Sequence, residues 1–382
     1  MVAIVVTGII TVSAIVLVPA MSYGNLFYVN QQQLRNLALD TLKTMLLDAG
    51  YPTKWGSSQT FTNNTVQRFG LALDSSSSFY VLDPDKVSRL VIDNPSGHLG
   101  YETIRDRLNL QGYGFNFRII SPFNVTANDG KPVSLTTMRN GVKVLVTYND
   151  GSPIPNALVK AKIIYTMRTG SQTYWATPVS NTTDALGRCM VKCTDPAFQS
   201  GDVIDFVLVL TVTVADLATI SATYMQGFHQ QTAAASIIGD NVTLWIPSNA
   251  IPGESTSGER RIMEIASVTE TYISTIYIGG DPTRDKMTWG QGYSYLSYIL
   301  PGLSYEDTLF LIFTIWVSIP GIGRPYILFL GPRPNWMGSR VQAFGDPTGG
   351  ARGASAAVKV QRNVLIAGMT YVVDFTLWKQ YG

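Results

Sequence analysis

Residues 1–22 form an apolar stretch without a charged side chain, and the first charge in the chain is Arg35. At the rise of an α-helix this stretch spans roughly 33 Å, about the thickness of the hydrocarbon core of a bilayer. Backbone groups in lipid must be paired within their own segment. The pattern therefore predicts a hydrophobic helix, with a bend or a local break at Pro19.

A second helical pattern follows from Gln31 to Leu47, where apolar side chains recur on one side only. The apolar positions are Leu34, Leu37, Ala38, Leu42, Met45 and Leu46. Polar residues occupy the positions between them, which predicts an amphipathic helix packed on the rest of the chain. Gly50 and Pro52 predict that this helix ends at about Asp48.

The remainder of the chain has the period of β-strands. Apolar and polar residues alternate in Val142–Tyr148 and Tyr371–Leu377, and Val203–Val214 is a long β-branched run. Leu309–Ile319 is apolar almost throughout, but it is too short to cross a membrane. We interpret it as a buried central strand.

Two turn motifs punctuate the strands between residues 131 and 238. One lies in VTYNDGSPIPNALVKAKI, where Asp150-Gly151 is followed by Pro153, Ala157 and Val159, and the other is the TDALG of residues 183–187. This part of the chain resembles the bacterial Ig-like domains of adhesins and surface proteins, which use both turns at similar spacing. The resemblance implies an Ig-like β-sandwich.

Nothing basic precedes the apolar stretch, so we expect that a basic leader has been removed in front of it. The apolar start, the amphipathic continuation and the β-rich remainder resemble the archaeal type IV pilin and archaellin superfamily. The chain lacks the glutamate that bacterial pilins carry near the mature N-terminus, which favours the archaeal branch. The resemblance implies a helix that leaves the membrane for a filament core, to which we assign Ile4, Val5, Gly8, Ile9, Val12, Ile15, Val16 and Pro19.

Together these patterns predict an α+β fold, with a long N-terminal hydrophobic helix and a mainly-β head of two β-sandwich-like domains, one of them Ig-like. The predicted parts are the helix (1–50), the first part of the head (51–130), the Ig-like sandwich (131–238) and a C-terminal β-rich region (239–382). We expect the C-terminal region to pair with residues 51–130. The Ig-like part would then be an insertion, with its ends close together near Asn128 and Gly239.

Composition narrows the range of functions. Charged residues make up only 14% of the chain, where soluble domains have about a quarter. A net charge of +2 without a Lys/Arg cluster argues against nucleic acid as a partner. No HExxH, P-loop, GxGxxG or EF-hand motif occurs, and His98 and His229 lack a recognisable nucleophile. We expect no enzymatic activity, no cofactor and no metal site.

Two kinds of modification are open. Four Asn-x-Thr sequons predict N-linked glycans on an exported protein, at Asn63, Asn124, Asn181 and Asn241. Cys189 and Cys193 would lie roughly 13 Å apart in a straight strand, too far for a disulfide, whereas a turn between them would allow one. The sequence leaves both arrangements open.

These features predict a structural subunit of an extracellular, pilus-like filament. It would insert in the membrane before assembly, polymerise with copies of itself through the N-terminal helix, and display a glycosylated head that adheres to surfaces or other cells. The alternative is a surface receptor or binding ectodomain that stays anchored in the membrane.

Overall fold

A computed structural model describes residues 29–58, 60–74, 80–91, 97–168, 173–224, 234–238, 241–247, 259–269, 273–279, 285–289, 293–300, 310–319, 322–331, 341–346 and 356–380. The described helices are α1 (residues 29–47), α2 (Pro84–Ser88), α3 (Tyr101–Arg107), α4 (Leu135–Asn140) and α5 (Pro196–Ser200).

Strands make up most of the regular structure. In the first half of the chain they are β1 (Val81–Leu82), β2 (Tyr113–Ile120), β3 (Phe123–Ala127), β4 (Val142–Tyr148), β5 (Leu158–Met167), β6 (Thr173–Trp175), β7 (Val179–Thr182), β8 (Arg188–Val191), β9 (Val203–Val214) and β10 (Leu217–Tyr224). In the second half they are β11 (Ala234–Ile238), β12 (Asn241–Pro247), β13 (Arg260–Val268), β14 (Ile273–Ile278), β15 (Thr288–Trp289), β16 (Tyr293–Ile299), β17 (Phe310–Ile319), β18 (Ile322–Leu330), β19 (Val341–Gly345), β20 (Ala357–Ile366) and β21 (Met369–Lys379).

This architecture corrects the predicted fold class. The structure is mainly β, and the first helix of its described part is α1, which covers 19 residues and is amphipathic. Among the described residues, no helix is both long and apolar enough to span a membrane. The prediction of an α+β fold with a long N-terminal hydrophobic helix was therefore wrong. Polar side chains recur on every turn of α1, so this helix can bury only one side.

The residues assigned to a filament core lie outside the described residues, which begin at residue 29. They are Ile4, Val5, Gly8, Ile9, Val12, Ile15, Val16 and Pro19.

The apolar side of α1 packs on the head as its spacing predicts. Its buried residues are Leu34, Ala38, Leu42, Met45 and Leu46. Arg35 and Lys43 are exposed on the opposite side. The helix ends where Gly50 adopts a left-handed conformation with φ +75°, and the Asp48 Oδ1 atom accepts a hydrogen bond from the Gly50 amide at 2.7 Å.

A five-stranded sheet in the order β1-β20-β21-β2-β19 shares its core with α1. Its strands come from both ends of the described chain. Val81 of β1 pairs in parallel with Leu365 of β20, and β2 runs antiparallel to both β21 and β19. From the predicted C-terminal region, only β19, β20 and β21 join residues 51–130 in this sheet.

The first sandwich consists of the sheet β3-β4-β8 and the sheet β10-β9-β5-β6, with β7 also paired to β5. Its strand order is that of an immunoglobulin sandwich, in which the first two strands join a later strand in one sheet. Val144, Val159 and Phe206 lie in the core between its sheets. The sandwich begins at β3, before the predicted boundary at residue 131.

The second sandwich consists of the sheet β11-β12-β16-β15 and the sheet β14-β13-β17-β18. Strand β17 lies between β13 and β18, so the apolar run of the sequence is a central strand. Leu311, Phe313 and Ile315 of this strand are buried between the two sheets.

The two sandwiches are stacked on one another. The side of the β5-β9 sheet that points away from the core of the first sandwich packs on the β13-β17-β18 sheet. There, Ile164, Val207 and Ile312 belong to the same hydrophobic cluster as the residues under α1. Polar bonds cross this interface as well: the Ile327 amide donates to the Asp205 Oδ2 atom at 2.9 Å. The first sandwich is therefore packed into the body of the protein on one of its faces.

Candidate functional site

The segment that joins α1 to the head, residues 48–91, is called the junction below. It contains little regular structure: one 3₁₀ turn at Trp55–Ser57, another at Asn63–Thr65, the short strand β1 and the helix α2. Backbone groups in such a segment need partners other than a helix or sheet ladder. In the junction, buried side chains supply them.

Lys86 of α2 is the first of these side chains. Asp83 caps the helix by accepting a hydrogen bond from the Asp85 amide at 2.9 Å, which fixes the direction in which Lys86 leaves the backbone. The Lys86 ammonium is fully buried and donates to the carbonyl of Ala49 at 2.9 Å and to that of Ala72 at 2.7 Å. The Asp83 carboxylate lies 3.6 Å from the ammonium. Burial lowers the pKa of Lys86, and Asp83 opposes that change.

Arg89 performs the same task one helical turn later. Its guanidinium donates to the carbonyls of Gly56 at 3.0 Å, Ser58 at 2.7 Å and Gly97 at 3.2 Å, and it lies 4.4 Å from the centre of the Phe61 ring. Burial lowers the pKa of Arg89 to about 10, so the group keeps its proton at neutral pH. Both cations thus bind backbone carbonyls. The guanidinium of arginine and the ammonium of lysine each carry several N–H donors, so each can bond to more than one carbonyl at a time.

Trp55 closes the junction against the end of α1. Its indole nitrogen donates to the Gly70 carbonyl at 3.1 Å, and its ring is fully buried. A Cβ atom at Gly70 would lie 2.1 Å from the Asp48 carbonyl oxygen, so only glycine fits where the two backbones meet. The chain after α1 is therefore held tightly to the helix it follows.

The junction has the character of a mechanical connection. Lys86 and Arg89 are enclosed and bonded to backbone carbonyl groups, which leaves these two cations inaccessible to a substrate. Across the described part of the chain, no group of three or more His, Cys, Asp or Glu side chains is arranged to hold a metal ion. The junction therefore fixes how α1 sits on the head.

The four sequons differ in accessibility. Asn63 and Asn181 are exposed, whereas Asn124 and Asn241 are partly buried. The Asn63 Oδ1 atom accepts a hydrogen bond from the Gly100 amide at 3.1 Å. The amide nitrogen of Asn181 instead donates to the Met190 carbonyl at 2.9 Å. A glycan on Asn181 would have to replace or share that bond.

The two cysteines are free thiols, and the disulfide that the sequence left open is not formed. Cys189 lies on β8 opposite Val144, and Cys193 is buried in the core of the first sandwich. Strand β8 runs from Arg188 to Val191, so the first half of the segment between the two cysteines is extended. Burial raises the pKa of Cys189 to about 11 and also raises that of Cys193.

The sequence left the cap of α2 open between Asp83 and Asp85, and the two buried cations were missed. The signal that could have found them is a lysine and an arginine three positions apart among the apolar residues Val87, Leu90 and Val91. Their partners are carbonyls of irregular backbone, which have no signature in the sequence.

Comparison with known proteins adds no family to this description. No protein-family model matches the chain, and neither does any curated protein sequence.

Proposed function

We propose that this protein is a structural subunit of an extracellular filament of the type IV pilus kind, which assembles through its apolar N-terminal segment, residues 1–22, and displays the β head. The observation that supports this proposal is the junction. A charge-free segment leads into a helix that is clamped to the head by packing and by Lys86, so that contacts between segments would fix the positions of the heads.

The segment itself needs burial. Its larger apolar side chains favour transfer out of water by ~1.5–3 kcal/mol each, which sums to tens of kcal/mol for the segment. Lipid can supply that burial, and so can the same segments of neighbouring copies. In the second case many copies give each segment several neighbours, and the assembly is effectively permanent.

The surface of α1 limits how far such contacts extend. Its outward side carries Gln33, Arg35 and Lys43, which are exposed. Charged side chains are costly to bury without partners, so this side would stay wet in the assembly. Dry contact between copies would therefore end before α1, which serves as the connection to the head.

Electron microscopy of the purified protein tests the proposal. We expect helical polymers from the native chain and none from Ile9→Asp, because an unpaired charge in a dry contact prevents assembly. Val29→Asp is the matched control: Val29 is also β-branched, but it is 48% exposed at the start of α1, so filaments should form.

Two results would overturn the proposal that the protein forms a filament. Single particles that require detergent, with no polymers under any condition, would favour the membrane-anchored receptor or binding ectodomain. Normal filaments from Ile9→Asp would show that the N-terminal segment is not the assembly element. In both variants the unfolding transition of the head serves to confirm that it is folded.

A further inference from the structure

The outward side of the β3-β4-β8 sheet of the first sandwich is called the outer face below. The register places its residues in rows: Thr126 opposite Leu145, Leu145 opposite Arg188, and Lys143 opposite Met190. Directly opposed residues have Cβ atoms about 5 Å apart, and diagonal neighbours lie about 7–8 Å apart. The outer face is therefore a continuous surface whose composition can be read from the register.

Three cations surround one methionine on this face. Met190 is 51% exposed, Arg188 and Lys192 lie two positions before and after it on the same side of the chain, and Lys143 is its partner on β4. All three cations are exposed, and none of them forms an ion pair with a described residue. The strands β3, β4 and β8 contain no Asp or Glu.

Two carboxylates close to β8 in the sequence are already engaged. Asp195 accepts hydrogen bonds from the amides of Ala197 and Phe198. Asp184 stands in the turn before β8, where its Oδ1 atom accepts hydrogen bonds from the amides of Leu186 at 2.8 Å and Arg188 at 2.9 Å. It closes the turn at the end of the sandwich. Positive charge on the outer face is thus left without compensation from the strands that carry it.

The rest of the outer face is uncharged. Asn124 pairs with Thr147 across β3 and β4, and Thr126 lies beside Leu145; all four are partly buried. Amide and hydroxyl groups there can bond sugar hydroxyls, while Leu145 and Met190 present apolar surface to the C–H side of a sugar ring.

We propose that the outer face binds an anionic polysaccharide, with the three cations pairing to its carboxylate or sulfate groups. Charge complementarity favours a polyanion. The mixture of cations, uncharged polar groups and apolar surface favours a sugar polymer over a nucleic acid, because the chain has a net charge of only +2 and no extended basic field. This names the partner class of the displayed head and in that respect rests on the proposed function.

The experiment measures binding of the full chain to immobilised dextran sulfate and to neutral dextran, at low and at high ionic strength. We expect binding to dextran sulfate alone, weakened by salt. The triple variant Lys143→Gln, Arg188→Gln, Lys192→Gln should bind about tenfold more weakly, since each exposed ion pair contributes a small share. Its thermal midpoint should equal that of the native chain, because all three side chains point outward.

A matched triple variant removes the same charge elsewhere: Lys43→Gln, Lys160→Gln and Arg362→Gln, all at exposed positions. It should bind within about twofold of the native chain. An equal loss in both variants would overturn the assignment to the outer face, and so would equal binding of native protein to both dextrans. Stronger binding to anionic vesicles or to duplex DNA than to dextran sulfate would contradict the polysaccharide as occupant.

The same preparations are viewed by electron microscopy, which separates the two proposals. If filaments form but do not bind dextran sulfate, only the proposal of polysaccharide binding at the outer face is refuted. If the protein binds dextran sulfate through the three cations but forms no filaments, only the proposal of filament assembly is refuted.

Discussion

Buried cations hold the irregular junction together by bonding to backbone carbonyls. Lys86 has two such bonds, to Ala49 and Ala72, besides the nearby Asp83 carboxylate. Desolvation of the ammonium disfavours its charged form, so these bonds offset a real cost. The arrangement is stable only when every member is present.

Replacement of Lys86 tests this account. Lys86→Met keeps the length of the side chain but leaves two carbonyls and the Asp83 carboxylate without their cation. We expect a loss of about 3–5 kcal/mol in the free energy of unfolding, measured by urea denaturation. Lys43→Met, on the exposed side of α1, should change it by less than about 0.5 kcal/mol. Equal values for the two variants would refute a structural role for the buried amine.

The thiols make stability depend on alkaline pH. Cys189 has an ordinary pKa of 9.0 in the unfolded chain and about 11 in the folded one, so the unfolded state releases its proton first. Its contribution is fully present below pH 9 and is lost as pH rises towards 11. Thermal midpoints across this range should therefore fall less steeply for Cys189→Ala than for the native chain. A parallel decline would show that Cys189 has no part in it.

Glycosylation should follow accessibility. In glycopeptide mass spectrometry of native material we expect the highest occupancy at Asn63, because it is exposed and its amide nitrogen is not used in a described hydrogen bond. Asn241 should be the least occupied, since its Oδ1 atom is buried. The reverse order would indicate that the sugars are attached before the head folds.

Sequence alone identifies residues whose role depends on their neighbours in the chain. The turn glycine at Gly50 could be predicted and the cap of α2 could be narrowed to Asp83 or Asp85, because capping and left-handed backbone are local. The carbonyls of Gly56 and Ser58 that receive Arg89 could not, since more than thirty positions separate the partners.

At the scale of elements, β20 and β21 form a hairpin whose turn is made by Ala367 and Gly368, both with positive φ. A Cβ atom at Gly368 would meet nothing within 4 Å, so the cost of a side chain there is confined to the backbone. Gly368→Ala should lower the free energy of unfolding by about 1–2 kcal/mol. Gly368→Asn should cost less, because asparagine tolerates this conformation. Chemical denaturation of both variants provides the comparison.

Helices and strands with a clear hydrophobic period could be predicted from the sequence. The pairing of strands into sheets could not. Alternation placed β4 and β21 correctly, and the apolar face of α1 was read from its spacing. The assignment of β3 to the first sandwich depends on its pairing with β4, which a boundary drawn from turn motifs cannot show. Pairing is a long-range choice that the period of one strand does not determine.

For the whole molecule, the predicted insertion is not tested directly, because Gly239 lies outside the described residues, but stacking of the sandwiches leads us to expect that the first one cannot be removed. The β5-β9 sheet of the first sandwich contributes Ile164 and Val207 to the core that it shares with the second sandwich. Lys162 of β5 also donates to the Thr269 carbonyl at 2.8 Å. Deletion of residues 129–238 would expose this interface. We expect an unfolded or aggregated product, assessed by circular dichroism and size-exclusion chromatography. A soluble, folded product would support the interpretation of the first sandwich as an inserted domain.

A milder change probes the same interface. Asp205 is fully buried and accepts hydrogen bonds from the amides of Phe206 and Ile327. Asp205→Ala leaves those amides unpaired and should lower the free energy of unfolding by about 2–3 kcal/mol. Asp216→Ala, in the exposed turn between β9 and β10, should have no measurable effect. The two sandwiches should still unfold in one transition if the rest of the interface couples them.

The pairing of β1 with β20 also orders events in time. Val81 cannot meet Leu365, nor β2 its partner β21, until almost the whole chain has been synthesised. Contacts between residues so distant in sequence form slowly. The strands of the first sandwich lie between residues 123 and 224, so its internal pairings involve much shorter separations in sequence. The sheet that shares its core with α1 comes last, so the junction is completed only after the C-terminal hairpin is in place, and a chain that lacks this hairpin would leave the apolar side of α1 exposed.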